Sequence, residues 1–226
     1  MATVPIETVR RPQDLAPLLD HTLLAPEAGA ADLARLCAEA REHGLGAVCL
    51  HRHMVAEARR LLAGARVRTV AVVDFPGGLG GTAARVAEAL EAVRAGADEL
   101  DLVAPMPALL SGRWEAVLDD LRAVVRAVPV PVKVILETAR LERDRKVAAA
   151  ALAASAGAAY VKTSTGFGGG GATVDDVALL RAVVGEEMGV KASGGIRTAA
   201  QALAMVRAGA DRIGSSSSVA IVTGSF

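Results

Sequence analysis

Residues 158–167 read AAYVKTSTGF. Small and apolar residues lead into Tyr160, Val161 and Lys162, and a hydroxyl-rich run then closes on Gly166. The stretch predicts a short buried strand that turns out into a loop at Lys162. A lysine rarely enters an apolar strand unless something pairs it or uses it. A sister segment, GVKASGGIR at 189–197, places Lys191 in the same way. Only four lysines occur, at 133, 146, 162 and 191, among 25 lysines and arginines, so the solvated positive charge is mostly arginine. Three of the four fall inside apolar strand-like runs, and Lys146 reads as a solvated helix residue. Arginine keeps its proton in a protein, whereas a desolvated lysine can become a neutral amine nucleophile.

Outward from this stretch, apolar runs alternate with helical segments of about 10–15 residues, the pattern of βα units around a parallel sheet. Strands are expected within residues 15–24, 46–51, 68–75, 98–105, 131–138, 158–165, 189–195 and 211–216. Helices are expected over 30–43, 54–62, from the loop PGGLGGT to 95, over 112–128 and 141–155, from 174, and over 198–207. About eight units fit one (β/α)8 TIM barrel in a single domain over 1–226, with 1–14 as an N-terminal extension or short helix. RAGADELDLV, SAGAAYVKTS and RAGADRIGSS share a helix end, a glycine stop and a following strand, which supports repeated βα architecture. A doubly wound sheet is the structural alternative, but neither GGLGG nor GFGGGG has dinucleotide-fingerprint spacing and context.

Composition narrows the function. The net charge is +0, and aromatic residues make up 2% of the chain. That argues against a nucleic-acid binder, which needs a basic field and stacking platforms. The opening MATVPIETVRRPQDL is polar and broken by prolines, unlike a secretory leader. The apolar run 147–161 is too short to cross a bilayer. Cys37 and Cys49 read as two reduced, buried thiols. A cytoplasmic protein is expected.

In a barrel, catalytic groups project from the C-terminal ends of the strands. Period-two alternation puts Tyr160 with Lys162, Lys191 with Ser193, Glu99 with Asp101, and Lys133 with Glu137. If those faces point inward, the mouth holds lysines and carboxylates with little water. A free lysine is almost entirely protonated at neutral pH, and burial with a neighbouring ammonium favours the neutral amine. Lys191, on the next strand, is the candidate neighbour of Lys162. A neutral amine can form a Schiff base with a carbonyl, an electron sink for carbon–carbon cleavage. Asp101 could shuttle the proton. The bland alternative makes each lysine a charge partner of Asp101, Glu99 or Glu137, and for Lys133 the two readings stand level. SGGIR and IGSSSS, ending the last two strands, suggest a phosphate site of backbone N–H groups at Gly194 and Gly195 with the hydroxyls of Ser216 and Ser217.

These motifs carry a resemblance. LLDHTLL, AVC, DFPGG, GADELDLV, SGRWEAV, KVILET, YVKTSTGFGGGGAT, GVKASGGIRT and RIGSSS run almost end to end, and the chain resembles the 2-deoxyribose-5-phosphate aldolases, class I Schiff-base enzymes on a barrel fold. The resemblance implies reversible cleavage of 2-deoxyribose 5-phosphate to acetaldehyde and glyceraldehyde 3-phosphate. It implies Lys162 as the Schiff-base lysine, Asp101 as proton donor and acceptor, and Lys191 as the second catalytic lysine. Thr165, Gly166, Gly194, Gly195, Ser216 and Ser217 fall on the substrate and phosphate loops. No metal or organic cofactor is implied, and a homodimer or higher homo-oligomer is expected. The chain departs from the family pattern at residues 104–107 (APMP), at Ala25 and at Tyr160, none of them a proposed catalytic position. A catalytically silent sugar-phosphate binder, or another phosphate-binding barrel lyase or isomerase, remains the alternative, because fold alone does not fix function.

Overall fold

The computed structural model describes residues 8–226. Among them, eight parallel strands close into a barrel in sequence order: β1 (Leu19–Leu23), β2 (Ala47–Leu50), β3 (Arg68–Val73), β4 (Glu99–Val103), β5 (Val132–Ile135), β6 (Tyr160–Lys162), β7 (Gly189–Ser193) and β8 (Arg212–Ser215). The helices are α1 (Ala30–Glu42), α2 (Val55–Leu61), α3 (Thr82–Arg94), α4 (Met106–Leu110), α5 (Trp114–Ala127), α6 (Arg143–Ser155), α7 (Val174–Val184), α8 (Ala199–Arg207) and α9 (Ser218–Thr223). This is the TIM barrel that the alternating pattern predicts.

The alternation within each strand sorts its residues between two interiors. Val48, Leu50, Ala71, Val73, Leu100, Leu102, Val134, Val161, Val190 and Ile213 face outward into one large apolar core beneath the helices. A smaller apolar group, Ala47, Cys49, Val70 and Val72 with Leu24, fills part of the inside of the barrel. The rest of that inside is charged, which the site below explains. Helix ends follow local chemistry. Thr173 and Thr198 cap α7 and α8 by accepting the N–H of Asp176 and Gln201, and Gln201 completes a capping box. Gly96, Gly157 and Gly209, the three glycine stops of the repeat, all have positive φ.

Several boundaries differ from expectation. Residues 12–18 form a 3-10 turn holding Pro12 and Pro17, so the first strand starts at Leu19 rather than Leu15. Of the expected extension over 1–14, residues 1–7 lie outside the described residues. The departing segment 104–107 leads into α4, a helix that falls between the expected strand and the expected helix from 112. There Pro107 sits in the first turn, where its missing N–H has no helical partner to lose. Strand β5 ends at Ile135, and Glu137 leaves it with φ of 55°. Glu137 therefore does not share an inward strand face with Lys133. Lys146 is not simply solvated, because its Nζ lies 2.6 Å from Asp176 Oδ1 on α7. Among the described residues no helix is long and apolar enough to cross a membrane.

Candidate active site

Parallel register brings the charged residues to shared levels. Lys162 pairs with Lys191, Lys191 with Arg212, and Asp101 with Lys133. Asp101 is fully buried and collects three ammonium groups. Lys133 Nζ donates to Oδ1 at 3.0 Å, while Lys162 and Lys191 each donate to Oδ2 at 2.7 Å. Lys191 also donates to Asp20 Oδ2 at 2.5 Å. Asp20 in turn holds Arg212, whose Nε lies at 3.0 Å and whose terminal nitrogen adds a second, close contact. Below this level Lys133 meets Glu99 Oε2 at 2.6 Å, and Glu99 Oε1 takes Arg68 at 3.0 Å.

Within the barrel, Lys133, Lys162, Lys191 and Arg212 thus face Asp20, Glu99 and Asp101. Burial alone would raise the Asp101 pKa, but Lys133, Lys162 and Lys191 outweigh it and hold the carboxyl well below its ordinary range. Asp20 behaves alike: burial opposes ionisation, and Arg212 and Lys191 more than compensate. For Lys191 burial favours the neutral amine, yet Asp101 and Asp20 raise its pKa overall. Lys191 is therefore a held cation bracketed by two carboxylates. Lys162 has a single carboxylate oxygen and shares it with Lys191, the least compensation of the three inward lysines. Cys49 Sγ lies 3.8 Å from Asp101 Oδ2, and burial and then Asp101 push its thiol up to about 11.

Above Lys162 opens a cleft of about 330 Å³, lined by Thr22, Lys162, Thr165, Gly166, Ser193 and the two loops after β7 and β8. Gly194 and Gly195 have φ of 93° and 78°, a left-handed turn that exposes their backbone to the cleft. Gly171 fits tightly behind them, since an added Cβ would stand 2.4 Å from Gly194 O. Ala172 N–H donates to that same oxygen at 3.0 Å. Ser216 lines the cleft, as does Ser215. Ser217 stands at the start of α9, donating its N–H to Ser215 Oγ at 2.9 Å, and is not among the lining residues.

Lys162 and Lys191 thus both meet Asp101, and Thr165, Gly166, Gly194, Gly195 and Ser216 line one cleft. Lys133 has the counter-ion contacts of the bland reading, with Glu99 and Asp101 rather than Glu137. Sequence reasoning missed Asp20 and Arg212, although both lie in quoted motifs, LLDHTLL and RIGSSS. It also gave no role to Arg197, which lines the cleft beside the glycines. Ser193 Oγ is buried on the cleft wall with no partner among the described residues.

Comparison with known proteins places the site in context. Residues 15–223 match the model of the DeoC/LacD family aldolases. A deoxyribose-phosphate aldolase of Aciduliprofundum boonei is 49% identical over 213 residues, covering 93% of this chain and 96% of that protein. One of Thermotoga maritima is 47% identical over 213 residues, covering 94% and 86%. The structure of an Aeropyrum pernix deoxyribose phosphate aldolase, described as tetrameric, superposes with a TM-score of 0.89 at 34% identity, covering 96% of this chain and 93% of that one.

Proposed function

The chain belongs to the DeoC/LacD family of aldolases, and on that premise we propose that it reversibly cleaves 2-deoxyribose 5-phosphate through a Schiff base on Lys162. Supporting this is one juxtaposition: Lys162 Nζ sits at the floor of the cleft, sharing Asp101 Oδ2 with Lys191. With Lys162 neutral, three buried cations face three buried carboxylates, so the amine that attacks belongs to a charge-balanced interior. The iminium formed after loss of water restores positive charge at the same place, opposite Asp101.

The reaction then follows from where electrons can go. Lys162 Nζ adds to the C1 aldehyde, and water leaves to give the iminium. Removing the proton of the C3 hydroxyl breaks the C2–C3 bond, and the electron pair moves into a C1–C2 enamine. Glyceraldehyde 3-phosphate departs. Protonation at C2 and hydrolysis release acetaldehyde and the free amine. Asp101, engaged by three lysines in the resting site, becomes able to pass protons through a water once Lys162 has turned to the substrate. Lys191 stays charged between Asp20 and Asp101 and keeps that carboxylate oriented. Gly194, Gly195 and Ser216, with Arg197 at the rim, receive the phosphate, and Gly166 lets the β6 loop approach the sugar chain. On this reading residues 1–226 are one catalytic domain, cytoplasmic and working as a homodimer or larger homo-oligomer. The tetramer of the Aeropyrum pernix relative supports that assembly.

The test is Lys162→Arg, which keeps charge and length but removes the nucleophile. Borohydride reduction with acetaldehyde should label wild-type protein at Lys162 and leave the variant unlabelled and inactive. A reduced adduct on Lys133 or Lys191 in the variant would sink the assignment. A wild-type protein that binds the sugar phosphate and forms no reducible adduct would be a silent binder instead.

A further inference from the structure

Glu137 has no part in the scheme above, yet it is one of the most constrained side chains in the molecule. It leaves β5 in the left-handed region, φ 55° and ψ 58°, a conformation non-glycine residues seldom hold. Its carboxyl is 2% exposed as a residue and lies behind the cleft wall. Oε2 accepts twice from Thr165, from the N–H at 3.2 Å and from Oγ1 at 2.5 Å. Oε1 is buried with no partner among the described residues. The loop after β6 closes tightly over this group, since a Cβ on Gly168 would stand 2.6 Å from Glu137 Cδ. Thr165 Oγ1 meanwhile accepts the N–H of Phe167 at 3.1 Å.

A hydroxyl has one proton and two lone pairs. At Thr165 the proton goes to Glu137 and one lone pair to Phe167 N–H. What remains is one lone pair, on a residue that lines the cleft. We propose that Glu137 is a positioning residue that fixes the Thr165 hydroxyl as a pure hydrogen-bond acceptor, and so selects aldehydes carrying a hydroxyl beside the carbonyl. This rests on the aldolase reading, in which the sugar chain runs from Lys162 toward the phosphate loops. The hydroxyl between the cleaved bond and the phosphate-bearing carbon then passes Thr165 and donates to it. An aldehyde without that hydroxyl leaves the lone pair unmatched in a buried wall.

The test is a ratio of kcat/KM values for condensation with acetaldehyde, using glyceraldehyde 3-phosphate and its deoxy analogue 3-phosphooxypropanal. Glu137→Ala frees the Thr165 hydroxyl to rotate, and the ratio should fall about fivefold, the scale of one neutral hydrogen bond. Glu137→Gln still offers an amide oxygen to the Thr165 proton and should keep more than half of the wild-type ratio. Thr165→Val should bring the ratio down to the Glu137→Ala level, and adding Glu137→Ala to it should lower the ratio no further. Equal losses on both aldehydes in Glu137→Ala, as a merely structural role would give, overturn the inference. So does a Thr165→Val ratio equal to wild type, which decides the matter even if Glu137→Ala does not fold. Wild-type protein that condenses neither aldehyde refutes the aldolase reading itself, a distinct result.

Discussion

Replacing Asp101 by Asn tests the charged interior most directly. The amide keeps the shape of the carboxylate but offers one acceptor oxygen and no charge to three ammonium groups at 2.7–3.0 Å. Four buried cations then face two carboxylates, Asp20 and Glu99. Lys191 keeps Asp20 and Lys133 keeps Glu99, whereas Lys162 loses its sole counter-ion among the described residues. Removing one member of a buried ionic cluster costs about 3–5 kcal/mol. For a chain of this length each kcal/mol moves Tm by about 2–4 °C, so a drop of about 10 °C is expected near pH 6. The deficit should narrow toward pH 10, because a lysine can escape the uncompensated site by releasing its proton. Scanning calorimetry of both proteins at pH 6, 8 and 9.5 measures this. A variant within 2 °C of wild type at pH 6, or a deficit that stays constant to pH 9.5, would refute the charge-balance argument. The same variant should still trap acetaldehyde as an imine, while exchanging the acetaldehyde methyl protons with deuterated water far more slowly than wild type.

Two further outcomes follow from the geometry. Ser216→Asp puts a negative charge on the cleft wall and should raise KM for deoxyribose 5-phosphate at least tenfold more than for deoxyribose, while Ser217→Asp, set back at the start of α9, should show a smaller difference; equal effects on both sugars would move the phosphate elsewhere. The depressed carboxyls of Asp20 and Asp101 contribute stability that is present above the ordinary carboxylate pKa near 4 and is lost only as pH falls well below it. The raised Lys191 contributes stability that is whole below pH about 10.4 and is lost as pH rises from there through its higher folded value. Urea midpoints should therefore lose the contribution of this network below pH 4, not between 4 and 6; Asp20→Asn should remove the Asp20 share of that acid-side dependence and leave the share of Asp101.

The barrel was legible because its two periodicities are local. Strands of alternating outward Val and Leu and inward polar residues, each followed by a helix and a glycine stop, can be read without knowing what touches what. The inward lysines were legible for a similar reason: a lysine in AAYVKTST or GVKASGG violates its own surroundings. Asp20 and Arg212 did not stand out, since an aspartate before His21 and an arginine after a turn look unremarkable until register puts them side by side. Glu137 was misassigned because alternation was carried through the end of β5, and a single left-handed residue reverses the face on which a side chain emerges. Ser217 was grouped with Ser216 by adjacency, though neighbouring residues at a helix start point in different directions. Helix α4 was hidden by two prolines in APMP that read as loop; one of them occupies a first-turn position where a helix tolerates it.

The seam between β1 and β8 has a consequence for how the molecule assembles. Asp20 meets Lys191 and Arg212 across 171 and 192 positions of chain. Contacts so distant in sequence carry a large loop-closure cost and tend to form late. A partly folded chain with seven strands in place would hold Lys162 and Lys191 around Asp101 while both Asp20 and Arg212 still awaited each other. Ring closure is then what completes the network: a fragment or a permuted chain that leaves this seam open can keep Lys162 and Lys191 on Asp101 and still lack the Asp20 carboxylate that brackets Lys191 from the other side.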